Sequence, residues 1–356
     1  MTLVVIALGL LTACGSGGAV TPTPRPPTPI PPTPTPRSTA LPELAQPPAL
    51  LGGTERPLVI ALALPGAGSP SESDRAALAQ SVADHLQPLS ATLNIASDIE
   101  VQVEPMDESA ALQALCSGAP VTAWVSAFTY AAAARTCEVE PLLALVRETG
   151  GKRAIGTAYD IITPREIESA ADLAGQVACY VEDQLDAWAI SALMLRAEGV
   201  DPLVEMPPSV TFPDDSAAFD ALLDGECAAL VLPHDTLDAL LAPLPVSDNP
   251  PRERLHFLIE GGNPSAPRST DGPVSVPRYV VPFGLWVAAP ESALPASELR
   301  PVRQELEAAV RAYFDAQPDA LADWFDGADV VEVNRAGLSA LVRWLDSARW
   351  DMAFRP

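Results

Sequence analysis

Polar and aromatic residues that could bind a small molecule stand directly after apolar runs of the sequence. A hydroxyl pair and a phenol follow residues 121–125, and several acids and an indole follow residues 176–181. Short apolar runs are typical of buried strands, and ligands of α/β proteins bind at the carboxyl ends of such strands. We therefore predict a ligand-binding cleft at these strand ends. The candidate residues are Ser69, Ser126, Thr129, Tyr130, Tyr159, Asp183, Gln184, Asp186, Trp188, Asp214 and His234.

Each group of candidates also has an ordinary structural explanation, which the sequence leaves open. Ser126 and Thr129 could simply cap a helix. Trp188 falls on an amphipathic helix, where an indole most often packs into the core. The acids at 182–186 could cap the next helix and face water.

No arrangement of residues is typical of an enzyme or a metal site. The sequence lacks GxSxG, HExxH and P-loop motifs and has no GxGxxG after a strand. Its three histidines are not spaced as metal ligands. An acid/base pair among Glu182, Asp183 and Asp186, as in a glycosidase, has no other support. We predict a binding protein without catalytic residues, cofactor or metal.

The chain begins with an apolar run that ends in Leu11-Thr12-Ala13-Cys14. A membrane-spanning helix needs about 20 residues, so this run is typical of a signal peptide. Its ending resembles the lipobox of bacterial lipoproteins, which implies that Cys14 is lipidated and anchors the protein to the extracytoplasmic face of the cell membrane. A plain secretory signal is the alternative. The run lacks a Lys/Arg n-region, which leaves an upstream start codon open.

Residues 15–54 are predicted to form a disordered stalk, because residues 21–36 are almost entirely threonine and proline. Such a segment cannot bury enough apolar surface to fold, and it favours extended polyproline II. The remaining chain is long enough for one large domain or two lobes. We expect a monomer.

The net charge of −25 argues against nucleic acid as a partner, because phosphate binding requires clusters of lysine and arginine. It also disfavours long-range attraction of anionic ligands. With 48% hydrophobic residues, the acidic chain still has the material for a substantial core.

Four cysteines follow Cys14, and an even number in an exported chain predicts two disulfides. Of the three possible connectivities, we favour Cys116–Cys137 with Cys179–Cys227, because each pair would lie within one lobe. Four buried thiols are the alternative.

Apolar runs alternate with helical segments in two successive series. Strands are expected at 58–64, 99–103 and 121–125, and again at 155–162, 176–181, 208–212, 227–232 and 283–288. This alternation predicts an α/β fold with two wound lobes. Lobe one would contain 55–153 and 290–356, and lobe two 154–289.

Several segments resemble the substrate-binding proteins of ABC transporters with the type II periplasmic-binding-protein fold, in the phosphate/phosphite/phosphonate branch. They are Ala114–Gly118, Ala123–Tyr130, Ile167–Ala178, Ala218–Ala229 and Trp324–Val333. The resemblance implies two lobes joined by a two-strand hinge near 152–163 and 277–288, a small-molecule solute between them, and an ABC permease as partner.

The sequence departs from this family at the turn Glu182–Asp186. Anion-binding members have a Ser/Thr-rich turn at this helix N-terminus, where hydroxyls and backbone N–H groups hold an oxyanion. Three carboxylates would repel phosphate, so a cationic, zwitterionic or neutral solute fits better. We predict an extracytoplasmic solute-binding receptor that delivers its ligand to a permease. The alternative is a sensor or binding lipoprotein that keeps the fold without transport, and an enzyme is the weaker third hypothesis.

Overall fold

The apolar runs form two β-sheets and one short pair of strands that links them. The computed structural model describes residues 49–66, 68–119, 121–149, 151–182, 184–243, 250–267, 272–290 and 296–350. Pro48–Pro356 forms one compact unit. The strands are β1 Leu58–Leu62, β2 Val101–Pro105, β3 Val121–Val125, β4 Glu140–Thr149, β5 Lys152–Ala154, β6 Gly156–Thr157, β7 Tyr159–Pro164, β8 Ala178–Val181, β9 Val210–Phe212, β10 Ala229–Pro233, β11 Leu255–Ile259, β12 Val281–Pro282, β13 Leu285–Ala288 and β14 Asp329–Glu332.

Side-chain caps mark where several of the helices begin. Ser71, Asp107, Ser126 and Asp214 each accept a hydrogen bond from a backbone N–H of the first helical turn. The helices are α1 Glu72–Leu86, α2 Ser90–Leu93, α3 Glu108–Leu115, α4 Ala127–Thr136, α5 Leu185–Ala197, α6 Pro202–Glu205, α7 Asp215–Leu223, α8 Thr236–Leu241, α9 Pro251–Arg254, α10 Ala296–Ala316, α11 Pro318–Phe325 and α12 Ser339–Ser347. Short 3₁₀ helices occur at Gln87–Leu89 and Ala170–Leu173. Within the described ranges, no helix is both long and apolar enough to cross a membrane.

The first sheet has seven strands, in the order β14-β4-β13-β3-β1-β2 with β5 beside β4. Its β1, β2 and β3 are parallel, whereas β13 runs antiparallel between β3 and β4. The second sheet has five strands, in the order β11-β7-β10-β8-β9. Its β8, β9 and β10 are parallel, and β7 is antiparallel to β10 and β11. Each sheet with its helices forms one lobe, as the sequence predicts.

The chain passes between the two sheets along β6 and β12, which pair with each other in antiparallel orientation. Pro282 lies opposite Gly156 in this pair. A Cβ atom at Gly156 would overlap the Val281 carbonyl and the Pro282 backbone, so only glycine permits this close approach. The two-strand connection lies within both segments, 152–163 and 277–288, that the sequence predicts for it.

The structure differs from the sequence predictions in one strand, in one lobe boundary and in several strands that were not predicted. The run 155–162 is two separate strands, β6 and β7, because the chain leaves the connection before it enters the second sheet. The expected range of lobe two, 154–289, ends too late, because β13 pairs with β3 and β4 in the first sheet. The sequence predictions also omit strands β4, β5, β11, β12 and β14.

Aromatic residues fill the core on one face of the first sheet. Trp124 and Trp286 are opposite each other in the pairing of β3 with β13 and are both fully buried. Their ring centroids are 6.3 Å apart, and Phe325 of α11 lies 5.0 Å from Trp124. Helix α11 therefore helps to cover these two indoles on this face of the first sheet.

The C-terminal helix α12 also contacts the second lobe. The Trp344 indole is buried and donates a hydrogen bond of 3.4 Å from its Nε1 to the Leu193 carbonyl of α5. It packs edge-on against Tyr279, with centroids 5.3 Å apart. Helix α12 therefore links the two lobes, as the connecting strands β6 and β12 also do.

Both disulfides have the predicted pairing. Cys116 and Cys137, at the C-terminal ends of α3 and α4, are joined with their Cα atoms 5.3 Å apart. Cys179 of β8 is joined to Cys227, just before β10, with a Cα separation of 5.9 Å. Each bridge ties elements of one lobe, as the sequence argument requires.

Loss of either disulfide should destabilise the protein through the entropy of the unfolded chain. The bridges close loops of 21 and 48 residues, which predicts losses of about 3 kcal/mol for the Cys116→Ser/Cys137→Ser variant and about 4 kcal/mol for Cys179→Ser/Cys227→Ser. Urea denaturation of each double variant beside the unchanged protein measures these losses. Four reactive thiols at 116, 137, 179 and 227 in the denatured but unreduced protein would contradict the pairing.

Candidate ligand-binding site

A cavity of about 500 Å³ lies between the two lobes and reaches both connecting strands. Its wall draws on loops and helices of the first lobe, on α5 of the second lobe and on β6 and β12. The lining residues are Pro65, Glu108, Ser126, Phe128, Thr129, Arg147, Thr157, Asp186, Ala189, Ile190, Leu193, Val281, Pro282, Phe283 and Trp350. A volume of this size suits a small organic molecule.

The polar wall of the first lobe is built where α3 and α4 begin. Glu108 opens α3, and Ser126 and Thr129 open α4. Both hydroxyls donate to the same atom, Oε1 of Glu108, with an O···O distance of 2.5 Å from Thr129 Oγ1. Ser126 Oγ also accepts from the Thr129 backbone N–H at 3.1 Å. A carboxylate of the chain itself therefore uses the hydroxyl protons that face the cavity.

The polar wall of the second lobe contains one further carboxylate. Asp186 lies in the first turn of α5, and its Oδ1 accepts a hydrogen bond of 2.6 Å from the Tyr159 hydroxyl. Tyr159 is buried, whereas Asp186 is exposed at the cavity. Burial, and then the Asp186 carboxylate, raise the pKa of Tyr159, so the phenol stays protonated and remains a donor.

The positive charge on the cavity wall is Arg147 of β4, and three neighbours hold it. Its guanidinium lies 4.6 Å from the centre of the Phe283 ring. Nη2 donates to the Phe325 carbonyl at 3.1 Å, and Nε lies 3.6 Å from Oδ2 of Asp326. The Arg147 charge is therefore partly balanced before any ligand arrives.

Apolar side chains make up most of the remaining wall. They are Phe128, Ile190, Leu193, Val281, Phe283 and Trp350. Phe128 and Trp350 are in contact, with ring centroids 5.3 Å apart, and the Arg135 guanidinium covers the Trp350 ring at 5.4 Å. Such a surface favours an apolar or aromatic body in the ligand.

Three of the predicted site residues, Ser126, Thr129 and Asp186, line the cavity, and Tyr159 contacts it through Asp186. Asp183 lies outside the described residues. The other candidates are placed elsewhere. They are Ser69, Tyr130, Gln184, Trp188, Asp214 and His234.

The contacts of these six residues explain their positions. Tyr130 is buried in the core and Trp188 packs against it, while Ser69 is exposed. Asp214 caps α7, and Gln184 donates to Asp215 at 3.0 Å. His234 Nδ1 lies 3.1 Å from Oδ1 of Asp160, a buried carboxylate that also accepts from the Gly261 N–H. Capping, core packing and local polar contacts thus occupy five of these side chains.

Most residues of the cavity wall are not identifiable from the sequence. Glu108 follows Asp107, the residue that caps α3, but no local signal in the sequence shows that the Glu108 side chain turns toward Ser126. Arg147 stands on β4, a strand that the sequence does not predict, and Phe283 lies at the junction after β12. Within the described ranges, no group of three metal-binding side chains comes together.

All five tyrosines should resist ionisation while the protein is folded. Burial raises the pKa of Tyr130 and of Tyr180 to about 12 and also raises the pKa of the other three. Absorbance titration of tyrosinate should show no phenol ionising near pH 10 in the folded protein and all five ionising there in urea. A folded-state phenol that titrates near pH 10 would contradict the burial.

These raised tyrosine pKa values determine how the stability of the folded protein changes at alkaline pH. Above pH 10 the unfolded chain loses phenol protons that the folded chain keeps, so this contribution is complete below pH 10 and falls as the pH rises through the folded pKa values.

Several solved structures are similar to the chain at low sequence identity. One is a Prochlorococcus marinus protein in complex with methylphosphonate, at 12% identity over 83% of this chain and 98% of that one, with a TM-score of 0.36. Another is the binding component of an ABC phosphonate transporter from Pseudomonas aeruginosa, at 13% identity over 83% and 87%, with a TM-score of 0.35. The Escherichia coli aliphatic sulphonate binding protein is 16% identical over 82% and 83%, with a TM-score of 0.30.

The search of curated proteins found no match. The family model described as ABC transporter, phosphonate, periplasmic substrate-binding protein matches residues 76–306, which is more than half of the chain. The matched range includes both crossings between the lobes and most of the cavity wall. The chain therefore belongs to the family of periplasmic substrate-binding proteins of ABC phosphonate transporters.

Proposed function

We propose that the protein captures a small organic solute between its two lobes and delivers it to an ABC permease. The observation that carries this proposal is the cavity wall, which takes residues from both lobes and from both connecting strands. A ligand that touches all of them would favour the closed arrangement over the open one, because it gains contacts only when the lobes are together.

The connecting strands are the proposed hinge. Only β6 and β12 form the short sheet between the lobes, and Thr157, Val281 and Pro282 of these strands also line the cavity. A rotation at the hinge therefore changes the cavity directly. The contact of Trp344 with the Leu193 carbonyl is a second link that must adjust during opening.

The family consists of transport receptors rather than enzymes, and we propose that this chain performs no reaction and acts as a monomer. The carboxylates of the cavity are held by hydroxyl donors, Glu108 by Ser126 and Thr129 and Asp186 by Tyr159. These contacts orient the acids for binding.

We further propose that lipidation of Cys14 and the stalk at 15–54 keep the receptor beside its permease on the extracytoplasmic face. Both segments lie mainly outside the described residues. The support is the Leu11-Thr12-Ala13-Cys14 ending and the Thr/Pro composition that follows it. A tethered receptor stays at a high effective concentration near a membrane partner, which favours capture and delivery over diffusion away.

A solute-release experiment tests the binding proposal for a ligand of any chemical class. The full-length protein, purified in detergent after exposure to growth medium and cell extract, should release a small molecule on denaturation that mass spectrometry identifies. An Ala189→Trp variant should release at least tenfold less, because the indole would occupy the cavity that Ala189 lines.

A Val204→Trp variant is the matched control, because Val204 is 80% exposed and does not line the cavity. It should release as much solute as the unchanged protein. Equal release from all three proteins, or none from any, would count against a solute receptor. Uptake of the identified solute in cells without the protein then separates transport from sensing, since only a transport receptor is needed for uptake.

The anchor proposal predicts that Cys14→Ser abolishes lipid attachment. Metabolic labelling with a radioactive fatty acid should mark the unchanged protein and leave the variant unlabelled, and the variant should move from the membrane fraction to the soluble or unprocessed pool. Val204→Trp serves as the control, since it changes an exposed residue and leaves the lipobox and both disulfides intact. Equal labelling of the Cys14→Ser variant and the unchanged protein would refute the anchor.

A further inference from the structure

We propose that the cavity recognises an organic cation, in which a protonated amine or quaternary ammonium group is carried on an apolar body. This assignment rests on the proposed function, since it names the class of solute for the same cavity. It differs from the phosphonate that the family model names and from the methylphosphonate bound by the Prochlorococcus marinus protein.

The hydroxyl donors that could hold an anion at the start of α4 are already used. Ser126 and Thr129 each have a single hydroxyl proton, and both are given to Oε1 of Glu108. An oxyanion at the start of α4 would have to displace Glu108 or lie against its negative charge. Like charges in contact repel each other, and they repel more strongly where the protein excludes water. The carboxylate thus excludes the class of ligand that the hydroxyls would otherwise attract.

Acceptors, in contrast, remain available in both lobes. Glu108 uses Oε1 and Asp186 uses Oδ1 for their hydroxyl donors. Among the residues that the structure describes, neither Glu108 Oε2 nor Asp186 Oδ2 has a hydrogen-bond partner. Each carboxylate therefore offers one oxygen to a ligand, one from each side of the cleft. An ammonium group supplies the donors and the charge that such oxygens require.

Arg147 does not reverse the charge of the cavity. Its guanidinium is paired with Asp326 at 3.6 Å, bonded to the Phe325 carbonyl and placed over the Phe283 ring. Glu108 and Asp186 have no cationic partner among the described residues. The lining residues thus carry two carboxylates against one arginine that is already partly balanced. The chain's net charge of −25 adds a long-range attraction for cations.

Aromatic faces complete the case for a cation with an apolar body. Phe128, Phe283 and Trp350 all line the cavity beside the aliphatic side chains of α5 and β12. Arg147 already covers a face of Phe283, and Arg135 covers a face of Trp350. These rings therefore serve mainly as apolar surface, and the carbon skeleton of a ligand gains from burial against them and against the aliphatic wall. An inorganic cation would use the carboxylates but leave this wall without a partner.

Isothermal titration with matched probes tests the class of ligand. The full-length protein in detergent is titrated with choline, benzylamine and 2-phenylethylamine, and separately with 3-phenylpropionate, phenylphosphonate and L-phenylalanine. We expect at least one amine to bind, and 2-phenylethylamine to bind at least tenfold more tightly than 3-phenylpropionate, which has nearly the same shape and the opposite charge. The inference is overturned if no amine binds, if either anion binds as tightly as 2-phenylethylamine, or if L-phenylalanine binds more tightly, because Arg147 would then be holding a carboxylate.

Two variants test the carboxylates separately. Glu108→Gln and Asp186→Asn keep the side-chain size and an oxygen acceptor for the hydroxyl donors, so each should weaken the best amine by about tenfold through the lost charge. Glu166→Gln and Asp220→Asn remove the same charge from exposed positions outside the cavity wall and should leave the affinity unchanged. Unchanged affinity in both cavity variants would overturn the assignment.

The outcomes separate this inference from the proposed function. An anionic solute released by the unchanged protein and absent from the Ala189→Trp variant would support the proposed receptor function and overturn the assignment of a cationic ligand. No released solute, together with no binding of any probe, would overturn both. A released amine whose binding weakens in Glu108→Gln and Asp186→Asn would support both.

Discussion

The insertion of β13 between β3 and β4 is the constraint on which the rest of this structure depends. Four residues from late in the chain, Leu285–Ala288, supply hydrogen bonds to two strands of the first sheet. Without these residues, β4 and β14 would have no hydrogen-bonded connection within the sheet to the parallel strands β1 to β3. Because the second lobe lies between β4 and β13 in the sequence, the chain must cross between the lobes twice. The two crossings, β6 and β12, then form the proposed hinge and contribute Thr157, Val281 and Pro282 to the cavity wall.

A second dependence links the disulfide of the first lobe to the binding site. The bridge between Cys116 and Cys137 joins the C-terminal ends of α3 and α4. At the opposite ends of the same helices, Glu108 accepts from Ser126 and Thr129. The helix pair is therefore fixed at both ends, covalently at one and by hydrogen bonds to a carboxylate at the other. A fixed pair presents the free oxygen of Glu108 to the cavity in one position, which lowers the entropy cost of binding.

Local signals in the sequence explain which elements are predictable. Helix α1 begins directly after its capping serine, Ser71, α4 begins after the predicted cap Ser126, and β3 has the predicted bounds. These elements are specified by residues adjacent in the chain. Strand β4 escapes prediction because its apolar run has no turn residues to separate it from α4 and because its partners, β13 and β14, lie far away in sequence. A strand whose stability comes from distant partners carries a weak local pattern.

The sequence by itself indicated the two-lobed α/β class and the acidic character of the chain, because these follow from periodicity and composition. It also favoured one of three disulfide pairings, because each bridge would then lie within one lobe. It also indicated Ser126, Thr129 and Asp186, since strand ends are where an α/β fold binds ligands. Only the tertiary structure decided what these residues face. The hydroxyls at the start of α4 suggest an anion when considered alone, and the Glu108 carboxylate that accepts their protons comes from a different helix. The charge of a cavity depends on which side chains meet in space, and that meeting is fixed by the packing of α3 against α4 rather than by any pattern along the chain.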